Sequence, residues 1–151
     1  MTDTKLEHSW FRSSGQALVE TALTVPLLIL LLVGVAELGR LAFAAIEVSN
    51  AARAGAAYGA QNGNTASDTN GIATAAANDA ANLNGLSTTS SYSCICSDGS
   101  SSTCGNTDCP NSHIEEILTV NTQVSFNPMI HLPGLPTSFT LRGQAVQKCL
   151  Q

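Results

Sequence analysis

Basic residues and aromatic residues are both scarce in this chain of 151 residues. Only six side chains are Lys or Arg, against eleven Asp or Glu, and the formal net charge is −5. Binding of nucleic acid requires basic clusters that neutralise phosphates, whereas Arg40, Arg53, Arg142 and Lys148 are isolated from one another. Aromatic residues make up 5% of the chain, too few for a large aromatic core. The composition therefore argues against a nucleic acid partner and predicts a small domain with a modest core.

Motifs of the common enzyme classes are also missing. The sequence contains no nucleophile elbow, phosphate-binding loop or metalloprotease motif. Glu115 and Glu116 are adjacent in a predicted strand, so their side chains point to opposite faces and cannot act together on one bond. His131 stands between two apolar residues in a proline-rich turn, which favours a structural role. The sequence predicts a protein that is not an enzyme and that uses no cofactor.

An apolar segment lies close to the N-terminus. Residues 21–36 carry no charge, although a helix of this length is slightly short for a hydrocarbon core of about 30 Å. Adding residues 17–19 gives spanning length and places Glu20 inside the membrane. We therefore predict a transmembrane helix at 16–62 that continues beyond the bilayer and follows a polar segment. A removed signal peptide is disfavoured, because no clean small-x-small cleavage site follows the apolar run.

A helix that serves only as a membrane anchor does not explain the presence of Glu20. A carboxylate within an apolar helix is costly and usually has a partner. If the chain is cut between Gly15 and Gln16, the new α-ammonium group of Gln16 lies one helical turn before Glu20. The glutamate can then neutralise that amine or the amine of a neighbouring subunit.

Three motifs in a fixed order carry a family resemblance. Residues 15–26 read Gly-Gln-Ala-Leu-Val-Glu-Thr-Ala-Leu-Thr-Val-Pro, 37–40 read Glu-Leu-Gly-Arg, and 50–58 read Asn-Ala-Ala-Arg-Ala-Gly-Ala-Ala-Tyr. Together they resemble the TadE-like family, minor pseudopilins of the Tad/Flp type IVb pilus system. The C-terminal third is similar to the family's closing hairpin. Thr21 stands where Flp pilins carry tyrosine, which favours a minor pseudopilin over the major subunit.

The resemblance implies a pseudopilin that takes part in pilus assembly and surface attachment. Residues 1–15 would form a cytoplasmic leader that a prepilin peptidase removes by cutting after Gly15. Glu20 would then guide docking of the new N-terminal helix into an assembly. The implied partners are the lipid bilayer, the peptidase, other pilus subunits and the Tad assembly-platform proteins. The implied location is a bacterial inner membrane, crossed once, with the C-terminal domain outside the cytoplasm.

Three alternatives remain open at this point. An uncleaved single-pass protein with an outer binding or scaffold domain would keep its original N-terminus. A secreted, cysteine-stabilised domain would begin well beyond Val33. A membrane-tethered thiol or zinc enzyme would carry bound metal or a thiol with a depressed pKa.

The remainder of the chain, 63–151, is predicted to be an extracytoplasmic α+β domain. The stretch 61–71 is predicted as a polar loop, with Asn62-Gly63-Asn64 as the helix stop. A short Ala-rich helix then runs from Thr69 or Asn70 to about Asn84. Three antiparallel strands follow, at 91–97, 118–126 and 139–145, and residues 118–126 alternate cleanly between apolar and polar. Ala51, Gly55 and Gly59 form a smooth strip on the long helix, which is expected to lie against a sheet or helix of the same chain.

Four cysteines fall within the polar loop 94–109, and a fifth lies near the C-terminus. They are Cys94, Cys96, Cys104, Cys109 and Cys149. Outside the cytoplasm disulfides are the default, and the four loop cysteines allow three pairings. A bond between Cys94 and Cys96 is the least comfortable of these geometrically. Cys149 can be free, pair between chains or join a loop cysteine, and a zinc site that includes His113 is the minority alternative.

Overall fold

The chain combines one long helix, two short helices and an antiparallel sheet. The computed structural model describes residues 10–105, 107–130, 134 and 136–149. In chain order the elements are α1 Trp10–Gly59, α2 Gly63–Ser67, α3 Thr69–Asp79, β1 Ser87–Cys96, β2 Ser101–Ser102, β3 Ile114–Phe126 and β4 Phe139–Lys148. The strand order is β2-β1-β3-β4, with every pair antiparallel. The predicted α+β class, with its long N-terminal apolar helix, is confirmed.

The chain divides into two compact units, Met1–Arg40 and Leu41–Gln151. In the first unit, α1 exposes its large apolar side chains, including Leu23, Leu30 and Leu32. The segment Gly15–Gly59 is long and apolar enough to cross a membrane, by length and composition. Pro26 lies inside the helix, as is tolerated in membrane-spanning helices. The helix begins at Trp10 rather than at the predicted boundary after residue 15.

A short helix replaces the predicted polar loop after α1. α1 ends at Gly59, before the predicted stop at Asn62-Gly63-Asn64. The Asn62 side chain instead accepts hydrogen bonds from the backbone N–H groups of Asn64 and Thr65, both at 3.0 Å. The Asn62 N–H donates in return to Thr65 Oγ1, also at 3.0 Å. This reciprocal pattern is a capping box, and it satisfies the first donors of α2. The prediction of a structureless 61–71 was therefore wrong.

The sheet has four strands where three were predicted. The additional strand, β2, consists of Ser101 and Ser102, which pair with Ile95 and Cys94. Two serines show no apolar alternation, so sequence periodicity could not reveal this strand. β1 also begins earlier than predicted, at Ser87 rather than at residue 91. Sequence periodicity missed its first half because that half is a run of hydroxyl side chains.

The helix that follows α2 is shorter than its predicted length. α3 begins at Thr69 as expected but ends at Asp79, before the predicted end near residue 84. Asn82, beyond its end, donates instead to Glu47 Oε1 of α1 at 2.9 Å. The side chain of Asn82 thus bonds to α1, and the residue lies outside α3 although the sequence pattern extends the helix past it.

The alternation along β3 sets one face of the sheet against the helices. Leu118, Val120, Thr122 and Val124 are buried, whereas the intervening residues from Asn121 onward are exposed. The predicted division of this strand into two faces is confirmed. The core of the second unit therefore lies between β3 and the part of α1 that follows Arg40.

Glycines allow α1 to approach the rest of the unit closely. A Cβ atom at Gly55 would lie 3.2 Å from Ile72 O of α3 and 3.3 Å from Val120 of β3. A Cβ atom at Gly59 would collide with Leu118. The predicted smooth strip thus faces a sheet and a helix of the same chain, as expected.

The same face carries a hydrogen bond between strand and helix. Buried Thr122 donates through Oγ1 to Val48 O at 2.7 Å. Gly143 lies across the sheet from Thr122, and a Cβ atom there would be 2.5 Å from the same carbonyl oxygen. Close approach at this point requires a residue with no side chain on β4.

Tyr58 and Asp68 join the end of α1 to the start of α3. Asp68 caps α3 by accepting from Gly71 N at 2.9 Å, and Tyr58 OH donates to its other oxygen at 2.9 Å. The bond from Gly71, followed by that from Tyr58, lowers the pKa of Asp68. The pKa of the Tyr58 phenol is raised, first by its hydrogen bond to Asp68. Both groups therefore keep, at neutral pH, the protonation states that this contact needs.

Candidate functional site

Gly15, Gln16 and Glu20 lie on one continuous stretch of α1. All three are exposed, and a Cβ atom at Gly15 would meet nothing within 4 Å among the described residues. One helical turn separates Gln16 from Glu20, because an α-helix has about 3.6 residues per turn. The peptide bond between Gly15 and Gln16 is thus sterically open, although it lies within a helix.

Hydroxyl groups next to Glu20 are satisfied within the helix. Thr21 Oγ1 donates to Ala17 O and Thr24 Oγ1 donates to Glu20 O, both at 2.8 Å. Such bonds to the preceding turn remove the cost of placing a hydroxyl in an apolar environment. Glu20 therefore remains the charged group of this apolar stretch.

Glu37 and Arg40 form the ion pair that their spacing predicts. Arg40 Nη1 donates to both carboxylate oxygens of Glu37, at 2.8 and 3.1 Å. An exposed pair of this kind contributes little to stability. Its two charges end the uncharged stretch that begins after Glu20.

Two disulfides organise the cysteine-rich loop. Cys94 is bonded to Cys104, and Cys96 is bonded to Cys109. The two bridges close segments with sequence separations of 10 and 13 residues. Both start on the buried face of β1, so they attach a polar loop to the edge of the sheet. This is one of the three pairings that the sequence allowed, and it avoids the bond between Cys94 and Cys96.

Asp108 holds the middle of the same loop, which sequence analysis missed. Its Oδ2 accepts from Thr103 N at 2.6 Å and Thr103 Oγ1 at 2.7 Å, and from Ser102 Oγ and Gly105 N at 3.1 and 3.2 Å. The bonds from Thr103 are the main cause of the lowered pKa of Asp108. Because the folded-state pKa is below its unfolded value, this stabilisation is present at neutral pH and is lost as the pH falls through the lowered pKa.

Cys149 stands apart from the disulfide loop. It is free and buried, and burial raises the pKa of its thiol, with a further contribution from the charge of Glu116. Its N–H donates to Glu116 O at 2.9 Å, and Cys94 pairs with Glu116 from the other side. Two strand spacings, about 10 Å, therefore separate Cys149 from Cys94, beyond the reach of a disulfide. A protonated, buried thiol of this kind has low reactivity.

The acidic residues considered as catalytic candidates are used in separate contacts. Glu115 Oε2 accepts from Lys148 Nζ at 2.6 Å, while its other oxygen lies 3.7 Å from His113 Nε2. Glu116 points to the opposite face, where it hydrogen bonds Tyr92. Burial, followed by this bond, raises the pKa of Tyr92 to about 12. The predicted separation of the two carboxylates is confirmed.

Two further predictions concern metal binding and His131. Among the residues that the structure describes, no group of three or more His, Cys, Asp or Glu is placed to hold a metal ion. The loop cysteines that a zinc site with His113 would need are consumed by disulfides. His131 lies outside the described residues.

An open, polar depression lies on the face of the sheet that points away from α1. Its volume is about 540 Å³, and it crosses β1, β3 and β4. Hydroxyl and amide side chains line it together with Arg142, and Gln144 Nε2 donates to Asn121 Oδ1 at 2.8 Å. Among these lining residues there is no Asp, Glu, His, Cys or Lys that could act as a base toward the hydroxyl groups.

Peptide mapping without reduction is expected to recover the two loop disulfides from protein taken from its native compartment. Loops of these lengths imply a stabilisation of about 2–4 kcal/mol per bridge, through the unfolded chain. Reduction is therefore expected to raise hydrogen exchange in residues 97–112 more than in α3, because α3 is held by core packing. Four free loop thiols, or a link from Cys149 to the loop, would contradict the arrangement.

Comparison with known proteins identifies one part of the chain. The model of the TadE-like protein family matches residues 15–57. No curated protein and no solved structure matches the chain. The matched segment contains Gly15, Gln16 and Glu20, the Glu37–Arg40 pair and the strip that includes Gly55. The resemblance drawn from these motifs is confirmed, and residues 15–57 are similar to the TadE-like proteins.

Proposed function

We propose that this chain is a membrane-anchored minor pseudopilin that takes part in assembly of a Tad/Flp-type pilus. The observation that carries the proposal is the place of Glu20, one helical turn after Gln16, in an exposed apolar helix that matches the TadE-like family. A carboxylate in that position is unfavourable in lipid unless it meets a cation. Cleavage after Gly15 supplies such a cation, the α-ammonium group of Gln16.

The steps that follow from this assignment use few residues. Residues 1–15 remain in the cytoplasm while the apolar part of α1 inserts. A prepilin peptidase cuts the exposed bond between Gly15 and Gln16. The shortened helix then leaves the bilayer for an assembly of pilus subunits and Tad platform proteins. Glu20 pairs there with an α-ammonium group, its own or a neighbour's, in surroundings of low dielectric constant where the attraction is strong.

Two disulfides support a location for the second unit outside the cytoplasm. Disulfides persist in oxidising compartments and are rare in the bacterial cytoplasm. Together with the apolar helix α1, the disulfides support a position in the inner membrane with the C-terminal domain outward. That domain then supplies contact surfaces for attachment.

The second candidate is an uncleaved single-pass protein whose outer domain binds a ligand or scaffold. The open polar depression around Arg142 favours it. The two candidates differ at the N-terminus, because the second one keeps residues 1–15.

Substitution of Glu20 tests the proposed function. In a strain without the wild-type copy, Glu20→Ala and Glu20→Gln are each expected to insert into the membrane normally and to impair piliation strongly. An ion pair at about 4 Å is worth roughly 4 kcal/mol at an effective dielectric constant of 20, so its loss weakens docking. Glu20→Gln is the sharper variant, since it keeps the size of the side chain and removes only the charge. Pili per cell are counted by electron microscopy.

The matched control is Glu37→Gln, which also removes a carboxylate from α1. Glu37 already has a partner within the helix, Arg40, so its loss is expected to change piliation little. Normal piliation with both Glu20 variants would remove the role assigned to that residue.

A further inference from the structure

The polar depression on the outer face of the sheet is formed by two rows of cross-strand partners. Each row takes one residue from β1, one from β3 and one from β4, and all six side chains are exposed. The first row is Thr89, Asn121 and Gln144, and the second row is Ser87, Gln123 and Arg142. From the spacing of strands and of alternate residues, the rows cover a surface of about 10 Å by 7 Å. Hydrogen-bonding groups are thus concentrated on one small patch within the second unit.

A hydrogen bond between Gln144 and Asn121 orients the two amides of the first row. Gln144 Nε2 donates to Asn121 Oδ1 at 2.8 Å. A side-chain amide has an NH₂ donor and an oxygen acceptor, so Asn121 keeps its Nδ2 group as a donor and Gln144 keeps its Oε1 atom as an acceptor. A hydroxyl group both donates and accepts. The first row therefore offers complementary partners to the hydroxyl groups of a ligand.

Arg142 is the charged residue of the depression. Its side chain is exposed, and among the described residues its guanidinium group takes part in no hydrogen bond or ion pair. The other cation on this face of β4, Lys148, is paired with Glu115 at 2.6 Å and lies six residues, or about 20 Å, along the strand. A guanidinium group matches the planar geometry of a carboxylate and also binds phosphate. The second row thus offers a site for an anionic group.

The lining of the depression disfavours an apolar ligand. Small-molecule sites in proteins have volumes of about 300–1,000 Å³ and mostly apolar walls. The volume here, about 540 Å³, falls in that range, but the side chains are hydroxyls, amides and one guanidinium group. A ligand gains affinity there through hydrogen bonds and charge. The fitting ligand carries several hydroxyl groups and one anionic group.

We propose that the depression binds an acidic sugar, with Arg142 on its anionic group and the amides of the first row on its hydroxyl groups. Sugar carboxylates and sugar phosphates share this chemistry. Within the described part of the chain, no aromatic side chain lines the depression to stack on a sugar ring. A single site therefore binds weakly, and many copies on one surface would gain avidity. The proposal concerns the second unit alone and does not rest on cleavage at Gly15 or on pilus assembly.

Titrations of the full chain in detergent micelles, followed by nuclear magnetic resonance, test the site. Glucuronate and glucose phosphate carry both kinds of group, whereas glucose lacks the anion and acetate lacks the hydroxyls. At least one of the two acidic sugars is expected to shift the backbone amides of Gln123 and Gln144 saturably. Its affinity is expected to exceed those of glucose and acetate by about tenfold or more, because each of these loses one set of hydrogen bonds. The tighter acidic sugar identifies the anionic group that Arg142 prefers.

Variants at two cations of β4 then assign the contact. Arg142→Gln is expected to weaken binding of the tighter acidic sugar about tenfold, through loss of charge-assisted hydrogen bonds. Arg142→Lys is expected to weaken it less, because the charge remains while the planar fork is lost. Lys148→Gln, the matched control, removes a cation from the same face of the same strand. It is expected to change the affinity by less than about twofold, because charges farther apart than the Debye length are screened.

Three results would overturn the proposal. One is the absence of saturable shifts with either acidic sugar at millimolar concentration. Another is binding of acetate as tightly as the acidic sugars, which would indicate only the attraction of any anion to Arg142. The third is equal weakening by Arg142→Gln and Lys148→Gln. Unchanged β3 amide shifts in each ligand-free variant are expected, since both side chains are exposed, and they separate lost binding from lost folding.

Discussion

Replacing Gly15 with leucine is expected to leave most of the chain uncut. A peptidase that cuts here must accept the residue before the bond, and α1 runs through this position as a regular helix. Glycine weakens a helix by about 1 kcal/mol relative to alanine, so it eases local unwinding for cleavage. Leucine both fills the position and strengthens the helix. A loss of 1.4 kcal/mol in transition-state binding already slows cleavage about tenfold, and the combined effect is larger. Mobility of the precursor and product on immunoblots measures the processed fraction.

Gly34→Leu is the matched control for this experiment. Gly34 lies on the same helix, and a Cβ atom there also meets nothing within 4 Å among the described residues. The control chain is expected to be cut as the wild type is. Efficient cutting of Gly15→Leu after the same residue would contradict the assignment of Gly15.

Gly143→Ala is expected to destabilise the second unit by about 2–4 kcal/mol. The new methyl group would stand 2.5 Å from Val48 O and 2.8 Å from Thr122 Oγ1, so backbone must move. Overpacking of this kind costs about 1–3 kcal/mol. Displacing the buried bond between Thr122 and Val48 adds about 1 kcal/mol. Native-state hydrogen exchange of the β3 amides, in the full chain in detergent micelles, measures the change.

Gly63→Ala serves as the control for that measurement. Gly63 is the first residue of α2, and a Cβ atom there meets nothing within 4 Å among the described residues. Alanine is favoured over glycine in a helix by up to about 1 kcal/mol, so the control is expected to be neutral or slightly stabilising. Equal stability of the Gly143 variant would show that α1 does not pack on β4 as described.

The elements with strong apolar periodicity were predictable from the sequence. α1 combines an uncharged run with Ala-rich turns, and β3 alternates from Leu118 to Val124. The strip around Gly55 was also predictable, because small residues at helical spacing indicate close packing. These signals depend on which side chains avoid water, and that preference can be read from the sequence.

The elements formed by polar residues were not predictable in the same way. α2 depends on the side chain of Asn62 bonding to the next turn, and the same asparagine reads equally well as a helix stop. β2 depends on a disulfide that brings Ser102 beside Cys94. Asp108 acts through four hydrogen bonds within one loop, which requires a backbone shape that no sequence pattern specifies.

The residues of the candidate site were identified almost entirely from the sequence. Glu20 stood out because it is a charge in an apolar run, and the spacing to Gln16 follows from helix geometry alone. The structure adds the hydrogen bonds by which the hydroxyls of Thr21 and Thr24 are satisfied within the helix.

The N-terminal residue of the protein recovered from its native membrane tests the pseudopilin assignment most directly. Mass spectrometry of the intact chain and of its N-terminal peptide gives this residue without any variant. The assignment predicts that the chain begins at Gln16, with residues 1–15 removed. A chain that still begins at Met1 or Thr2 would contradict the assignment, and one that begins beyond Val33 would indicate a removed signal segment instead.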